Sequence, residues 1–395
     1  MTAEAARSRS NERRALGVAS GAHALFDGFS DLLYVLLPIW QAEFGLSYAQ
    51  VGMLRGLFSG AMASFQIPAS YIADRIGARV MLTISAAIGG AAYCLAGASV
   101  GSISLITALF IGGLGAGIQH PVASTLVARA YEGARSRSAL GTYNFAGDIG
   151  KMAFPALTAV LLVWMPWRPT LALIGLLGIF AAVLIYGFTP TLAETHAADK
   201  ERNLGPGSMS RSGFPLLLSI GVLDSATRMA FLTFLPFLLK MKGADLPTIG
   251  FALLLVFAGG AVGKLGCAYL GARLGTISTV CVTEGFTALG ILALLPLSLW
   301  SCLALLPLIG FALNGTSSVL YGSVPDLAPA EKRQRAFGIF YTGTIGSGAV
   351  APALYGLIGD QLGVGATIAL IAAVVLLTVP LALLLRPAFM EQRAT

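Results

Sequence analysis

Twelve stretches of this chain stay apolar over the length of about 20 residues that a helix needs to cross a bilayer's hydrocarbon. They fall near 15–41, 48–73, 79–98, 103–128, 139–164, 169–189, 213–239, 247–272, 276–299, 301–325, 336–359 and 363–385. Such segments have no choice of conformation. Lipid offers a peptide group no hydrogen-bond partner, so each must satisfy its backbone internally as a helix. They are also too long and too uniformly apolar for barrel strands. With 56% hydrophobic and only 11% charged residues, against about 25% charged in an ordinary soluble domain, the chain cannot clothe itself in a water-compatible surface. The expectation is an all-α, multi-pass membrane protein with twelve transmembrane helices, placed in the inner (plasma) membrane.

The longest interior polar stretch, Thr191 to Gly213, divides these spans six and six. The two halves answer each other at an offset of 197 residues. Asp27 and Asp31 in the first span correspond to Asp224 and Arg228 in the seventh, and Arg135–Leu157 aligns without a gap on Lys332–Leu354 with five identities in 23 positions. A duplicated bundle with ionisable groups inside its spans is the general design of a secondary transporter. The expected organisation is a cytoplasmic segment 1–14, a six-helix bundle 15–189, a cytoplasmic linker 190–212, a second, pseudo-symmetric six-helix bundle 213–385 and a cytoplasmic tail 386–395.

Most of the 25 Lys and Arg residues fall in loops that lie on the side of the N-terminus, which places both termini in the cytoplasm. This distribution also explains the net charge of +7 without nucleic acid, because the basic residues are scattered over short loops rather than gathered on one face. The N-terminal polar segment leads into a span too long for a cleaved signal sequence, so the first helix is read as retained. Cys94, Cys267, Cys281 and Cys302 lie in apolar segments without metal-ligand spacing. No zinc-protease motif, P-loop or dinucleotide turn is present. No cofactor, no metal and no enzymatic activity are expected.

Ionisable groups within spans carry the chemistry, because each is expensive to keep in apolar surroundings. His23, Asp27 and Asp31 are spaced by four and form one stripe along the first helix. Two neighbouring carboxylates in a low-dielectric cavity resist ionising together, which suits Asp27 and Asp31, with His23, to carrying a proton. Asn144, Asp148 and Lys151 make a similar stripe on the fifth span, where Asp148 and Lys151 can pair, as can Asp224 and Arg228 on the seventh. His120, which precedes Pro121, and Lys264 are further candidates for substrate contact; packing, a hinge or snorkelling are the alternatives. Arg55 and Glu284 are read as structural, near helix ends or on lipid-facing spans. The glycines at 112, 113, 115 and 117, and at 259, 260 and 263, are read as sites of close helix packing.

The segment ASYIADRIGARVML resembles the signature loop of the major facilitator superfamily, with Asp74, Arg75, Gly77 and Arg79 matching, Ser70 in place of a leading Gly and Ala78 in place of a basic residue. Gly77 permits a tight turn, and Asp74 near a neighbouring helix N-terminus can latch the cytoplasmic side shut. His23–Leu54 and the stretches around the fourth and fifth spans are similar to the fosmidomycin-resistance-type exporters, through His23, Asp27, His120, Pro121, Gly147, Gly150 and Pro155. Val122 stands where that family has Glu, Asp148 where it has Asn and Lys151 where it has a small residue, which changes the charges facing the cavity.

The resemblance implies two bundles rocking about a central cavity lined by helices one, four, seven and ten. The expected function is proton-coupled export, an antiporter acting in efflux of a small amphipathic or anionic compound. Asp27, Asp31 and His23 would carry the proton, while Lys151, Arg228, Asp148, Asn144, Asp224, His120 and Lys264 would bind substrate. The alternatives are proton-coupled uptake of an organic anion or, less favoured, a transporter-like ligand sensor. The expected partners are the small molecule, protons and the lipid bilayer, with the chain monomeric.

Overall fold

The computed structural model describes residues 3–131, 133–190, 213–328 and 332–394, and among these the regular structure is helical with no strand. The expected linker 190–212 lies, apart from its first residue, outside the described residues. The helices are α1 (Ala3–Phe44), α2 (Tyr48–Ile76), α3 (Ala78–Gly97), α4 (Ser102–Ala130), α5 (Gly133–Trp164), α6 (Trp167–Phe188), α7 (Gly213–Met241), α8 (Leu246–Leu274), α9 (Thr276–Ala293), α10 (Leu299–Leu327), α11 (Arg333–Val375) and α12 (Thr378–Ala394).

The helices do not map one to one onto the twelve apolar stretches. Ten segments of the described residues are long and apolar enough to cross a membrane. The polar residues Arg55, Ser64, Gln66 and Ser70 dilute α2, which is not among them. One of the ten, Arg335–Phe389, runs through the expected eleventh and twelfth spans. The expected junction between those two spans survives as a break inside α11 at Gly363, whose φ of 81° is non-helical. A second break, between Val375 and Thr378, falls within the expected twelfth span.

The chain separates into two compact units. The first takes in Met1–Ile39, Leu57–His196 and Leu246–Phe251; the second takes in Trp40–Gly56, Ala197–Asp245 and Ala252–Thr395. The division is not a simple cut at the linker, since each unit includes a short piece from the other half of the chain. In the second unit the α2 N-terminus is capped twice. Ser47 and Gln50 form a reciprocal capping box, and the Asp360 carboxylate of α11 accepts the backbone N–H groups of Tyr48 at 2.5 Å and Ala49 at 3.1 Å.

Small residues set how closely the helices approach, because between apolar helices in lipid the attraction is packing rather than water exclusion. In the first unit, Gly90 of α3 faces Gly175 and Gly178 of α6, and a Cβ on Gly90 would lie 2.6 Å from the Gly175 carbonyl oxygen. Gly113 and Gly117 of α4 meet the backbone of α2 at Phe58 and Met62. In the second unit, Gly259 and Gly263 of α8 press on the carbonyls of Pro307 and Phe311 in α10. Corresponding turns of the two halves also use glycine in the same way. Gly77 before α3 and Gly275 before α9 take φ of 85° and 80°, a region that costs other residues a steric clash.

Gly259→Ala should therefore lower the thermal stability of the purified protein in detergent, by about 1–3 kcal/mol from overpacking against a backbone carbonyl. Gly346→Ala, where a Cβ meets nothing within 4 Å, should leave it unchanged. Equal melting temperatures for the two variants would show that the α8–α10 contact does not depend on glycine.

Candidate functional site

Three helices of the first unit converge on one carboxylate. The four-residue spacing puts His23 and Asp27 on successive turns of α1, and α5 reaches them because two of its residues lack side chains. A Cβ on Gly147 would lie 2.6 Å from Asp27 Oδ2 and 2.8 Å from His23 Nε2, and one on Gly150 would strike the Ala24 carbonyl. The third helix is α4, which supplies Gln119 and His120.

Asp27 is surrounded by nitrogen. Its Oδ2 lies 3.3 Å from His23 Nε2 and 3.3 Å from Lys151 Nζ, and its Oδ1 lies 3.7 Å from His120 Nε2. The His23 ring stacks on Tyr143 with centroids 4.1 Å apart and meets the His120 ring edge-on at 5.2 Å. Gln119 Nε2 donates to the Tyr143 hydroxyl at 3.4 Å. Side-chain exposure falls from 32% at Lys151 and 29% at His120 to 11% at Asp27 and 9% at His23, so the two outer nitrogens remain reachable while the carboxylate lies deeper.

This geometry can accommodate a proton. His23 Nδ1 lies 3.0 Å from the Tyr143 carbonyl oxygen, which can only accept, so Nδ1 carries hydrogen. A neutral imidazole would then turn the lone pair of Nε2 towards the Asp27 carboxylate, acceptor against acceptor. A proton between Nε2 and Oδ2 removes that conflict, as imidazolium or as carboxylic acid.

His23, Asp27 and His120 also bring three possible metal-ligand atoms within 4.8 Å of one another. Lys151 argues against a cation there, since its ammonium already sits on one of the Asp27 oxygens.

The remaining candidates are distributed as follows. Asp31 is buried one turn beyond Asp27 on α1, Asp148 is buried on α5, and Asn144 on the same helix is exposed. In the second unit Asp224 of α7 is buried, with Arg228 Nη2 3.7 Å from its Oδ2, and Lys264 of α8 is half-buried. In the last turn of α2, Asp74 meets Arg129 of α4 at 3.5 Å, both side chains being at least half exposed, a contact that contributes about 0–1 kcal/mol. Arg75 is exposed. Arg79 donates to the Thr189 carbonyl at 3.0 Å and lies 5.5 Å from the Tyr186 ring, tying α3 to the end of α6.

The reading of Glu284 and Arg55 as residues of helix ends or lipid faces fails. Glu284 is 1% exposed and Arg55 4%. Tyr143 and Gln119, which orient His23, were not singled out at all. Tyr143 adjoins the Asn144 stripe but points to a different side of α5, and Gln119 hides in a glycine-rich run.

The family model of the Major Facilitator Superfamily matches residues 19–219 and 216–393. The chain is 26% identical over 364 residues to the fosmidomycin resistance protein of Escherichia coli strain K12, covering 88% of this chain and 86% of that one. It is 30% identical over 90 residues to the probable sulfoacetate transporter SauU of Cupriavidus necator, covering 23% and 21%. Among solved structures, a bacterial homologue of the human lysosomal transporter Spinster, inward-facing and unoccupied, superposes with a TM-score of 0.81 at 14% identity over 97% of this chain and 98% of that one. A mutant of the nucleoside transporter NupG gives 0.72 at 13% over 96% and 99%. At these identities the two structures speak to the fold.

The Asp27–Lys151 contact yields a stability prediction. Lys151→Met should destabilise the protein by about 1–3 kcal/mol, because the Asp27 carboxylate loses its fixed cation while buried. Adding Asp27→Asn should recover much of that loss. A double variant no more stable than the single one, in detergent melts, would show that the pair is not energetically coupled.

Proposed function

Because this chain belongs to the Major Facilitator Superfamily, we propose that it is a proton-coupled secondary transporter that exports a small amphipathic or anionic compound by alternating access. The proposed frame is twelve transmembrane helices in two pseudo-symmetric six-helix bundles, in the inner membrane with both termini cytoplasmic and the chain acting as a monomer. The relatives it matches are transporters rather than enzymes, and the resistance for which the fosmidomycin resistance protein is named is in keeping with export. The observation that supports proton coupling is the His23–Asp27 contact, where a proton would relieve two facing acceptors. Asp31 extends this proton stripe. His120, Lys151, Asp148 and Asn144 in the first unit, with Arg228, Asp224 and Lys264 in the second, are proposed to bind substrate. Asp74, Arg75, Gly77 and Arg79 are proposed as a conformational latch.

The sign of the coupling depends on what the substrate presents to Asp27. A compound that offers the carboxylate a hydrogen-bond donor or a positive charge competes with the proton, and inward proton flow then drives it out. An anion that takes Lys151 behaves oppositely. Protonating Asp27 withdraws its charge from the ammonium 3.3 Å away and leaves that cation for the anion, so proton and anion reinforce each other. That contact favours a second reading, uptake of an organic anion with a proton. A transporter-like ligand sensor stands behind both.

Reconstituted vesicles with an imposed pH gradient, screened against a compound panel, separate these readings. Asp27→Asn should abolish gradient-driven transport, a loss of at least about tenfold, while exchange of compound against compound persists. Gradient-driven transport unchanged in Asp27→Asn, Asp31→Asn and the double variant would exclude proton coupling through α1. Export when the proton gradient points inward supports antiport, and accumulation supports the organic-anion reading.

For the latch, Asp74→Asn keeps the shape but removes the charge, and should raise the cytoplasmic-to-outer ratio of single-cysteine labelling. An unchanged ratio would remove Asp74 from that role.

A further inference from the structure

A second cluster of ionisable groups lies in the second unit, apart from Asp27. Glu284 of α9 and Asp224 of α7 are 1% and 3% exposed, and their carboxyl groups lie close enough to interact directly. Two carboxylates offer only acceptors, so this contact exists only while one of them is a carboxylic acid. The nearest fixed cation is Arg228, 3.7 Å from Asp224 Oδ2. Two acids facing one guanidinium are electrically neutral when they share one proton, and net charge is costly at this depth.

Several polar atoms near the pair are left uncommitted. Glu284 Oε1 has no hydrogen-bond partner, and neither have the buried hydroxyls of Thr227 on α7 and Thr287 on α9. Each threonine lies one helical turn beyond the acid on its own helix. Of the other helices packed around the pair, α8 presents Cys267, with Lys264 one turn before it, and α10 presents Tyr321, whose hydroxyl bonds Thr344 of α11 at 3.0 Å. Tyr341 of α11 rings against Tyr321 at 4.7 Å, and Arg386 of α12 is exposed.

We infer that Asp224 and Glu284 form a second exchangeable proton site, in which one proton is shared between the two carboxyl groups while Arg228 balances the remaining negative charge, and its release to water leaves the three groups with one net negative charge. On release the proton leaves the carboxylic O–H for a water molecule and the pair becomes a double carboxylate. The contact then opens, because neither partner can donate. The site rests on the transport reading for its use, but its existence is independent of Asp27.

The test is infrared spectroscopy of the purified full-length protein, stepped in pH with protons themselves as the probe. Wild type should show the carbonyl stretch of one protonated carboxyl that is lost as pH rises while the protein stays folded. Glu284→Gln, whose amide can donate to Asp224 in the proton's place, should abolish that one-equivalent signal, and Asp27→Asn should retain it. A signal unaffected by Glu284→Gln, or one that persists until the protein unfolds, would overturn the proposal; the latter would mark a locked structural proton. Should Glu284→Gln fail to fold, Asp224→Asn and the wild-type titration decide the same question. A null result here with transport still lost in Asp27→Asn would leave the first-unit reading intact.

Discussion

Apolar surroundings offer neither a peptide group nor a charge any water, and every feature of this protein depends on that deficit. The backbone answers it with helices. The helices then associate through glycine, so that in α8 and α10 one backbone rests on the carbonyls of the next. Charges answer it by clustering: Asp27 gathers three nitrogen side chains, and Asp224 gathers one guanidinium and one carboxyl.

The same economy binds the fold to the site. Gly147 and Gly150 are packing residues by any measure of their surroundings, yet the space they leave is what admits Asp27 and His23 against α5. Tyr143 does the rest, offering its carbonyl to one ring nitrogen and its own ring to the imidazole face. The two halves of the chain repeat this frame with altered chemistry. Asp27 and Asp224 hold equivalent places, but the neighbour one turn on is acidic in the first half and Arg228 in the second.

What was legible in the chain follows from which interactions are local. Helical segments announce themselves by continuous apolarity, and the stripe from His23 to Asp31 by its spacing, because both lie within one element. The expected spans leave a junction at 360–362, yet the structure carries the helix up to Gly363 and past it. Partners contributed by other helices were not legible. Spacing offers Lys151 to Asp148 on its own helix, whereas the approach of its ammonium to Asp27 is a contact between helices that no periodicity encodes. Glu284 was misread for a related reason. A lone acid in an apolar span gives no indication of which way its face is turned, and α9 turns this one inward against α7.

Charge neutrality offers a reason why such a carrier would be coupled to protons at all. The first unit buries three acids, Asp27, Asp31 and Asp148, and one histidine, His23, with Lys151 and His120 partly buried beside them. Its net charge is therefore set by how many protons the histidines and carboxyls hold, and a substrate that arrives with a charge changes the number that is cheapest to hold. In water the mismatch would be screened within about 8 Å. Among apolar helices it is not, so the free energy of admitting a charged compound and that of gaining or losing a proton become one quantity. Coupling in the proposed mechanism is then a property of the buried cluster itself, with the sign fixed by the charge of the substrate and by which partner of Asp27 it displaces.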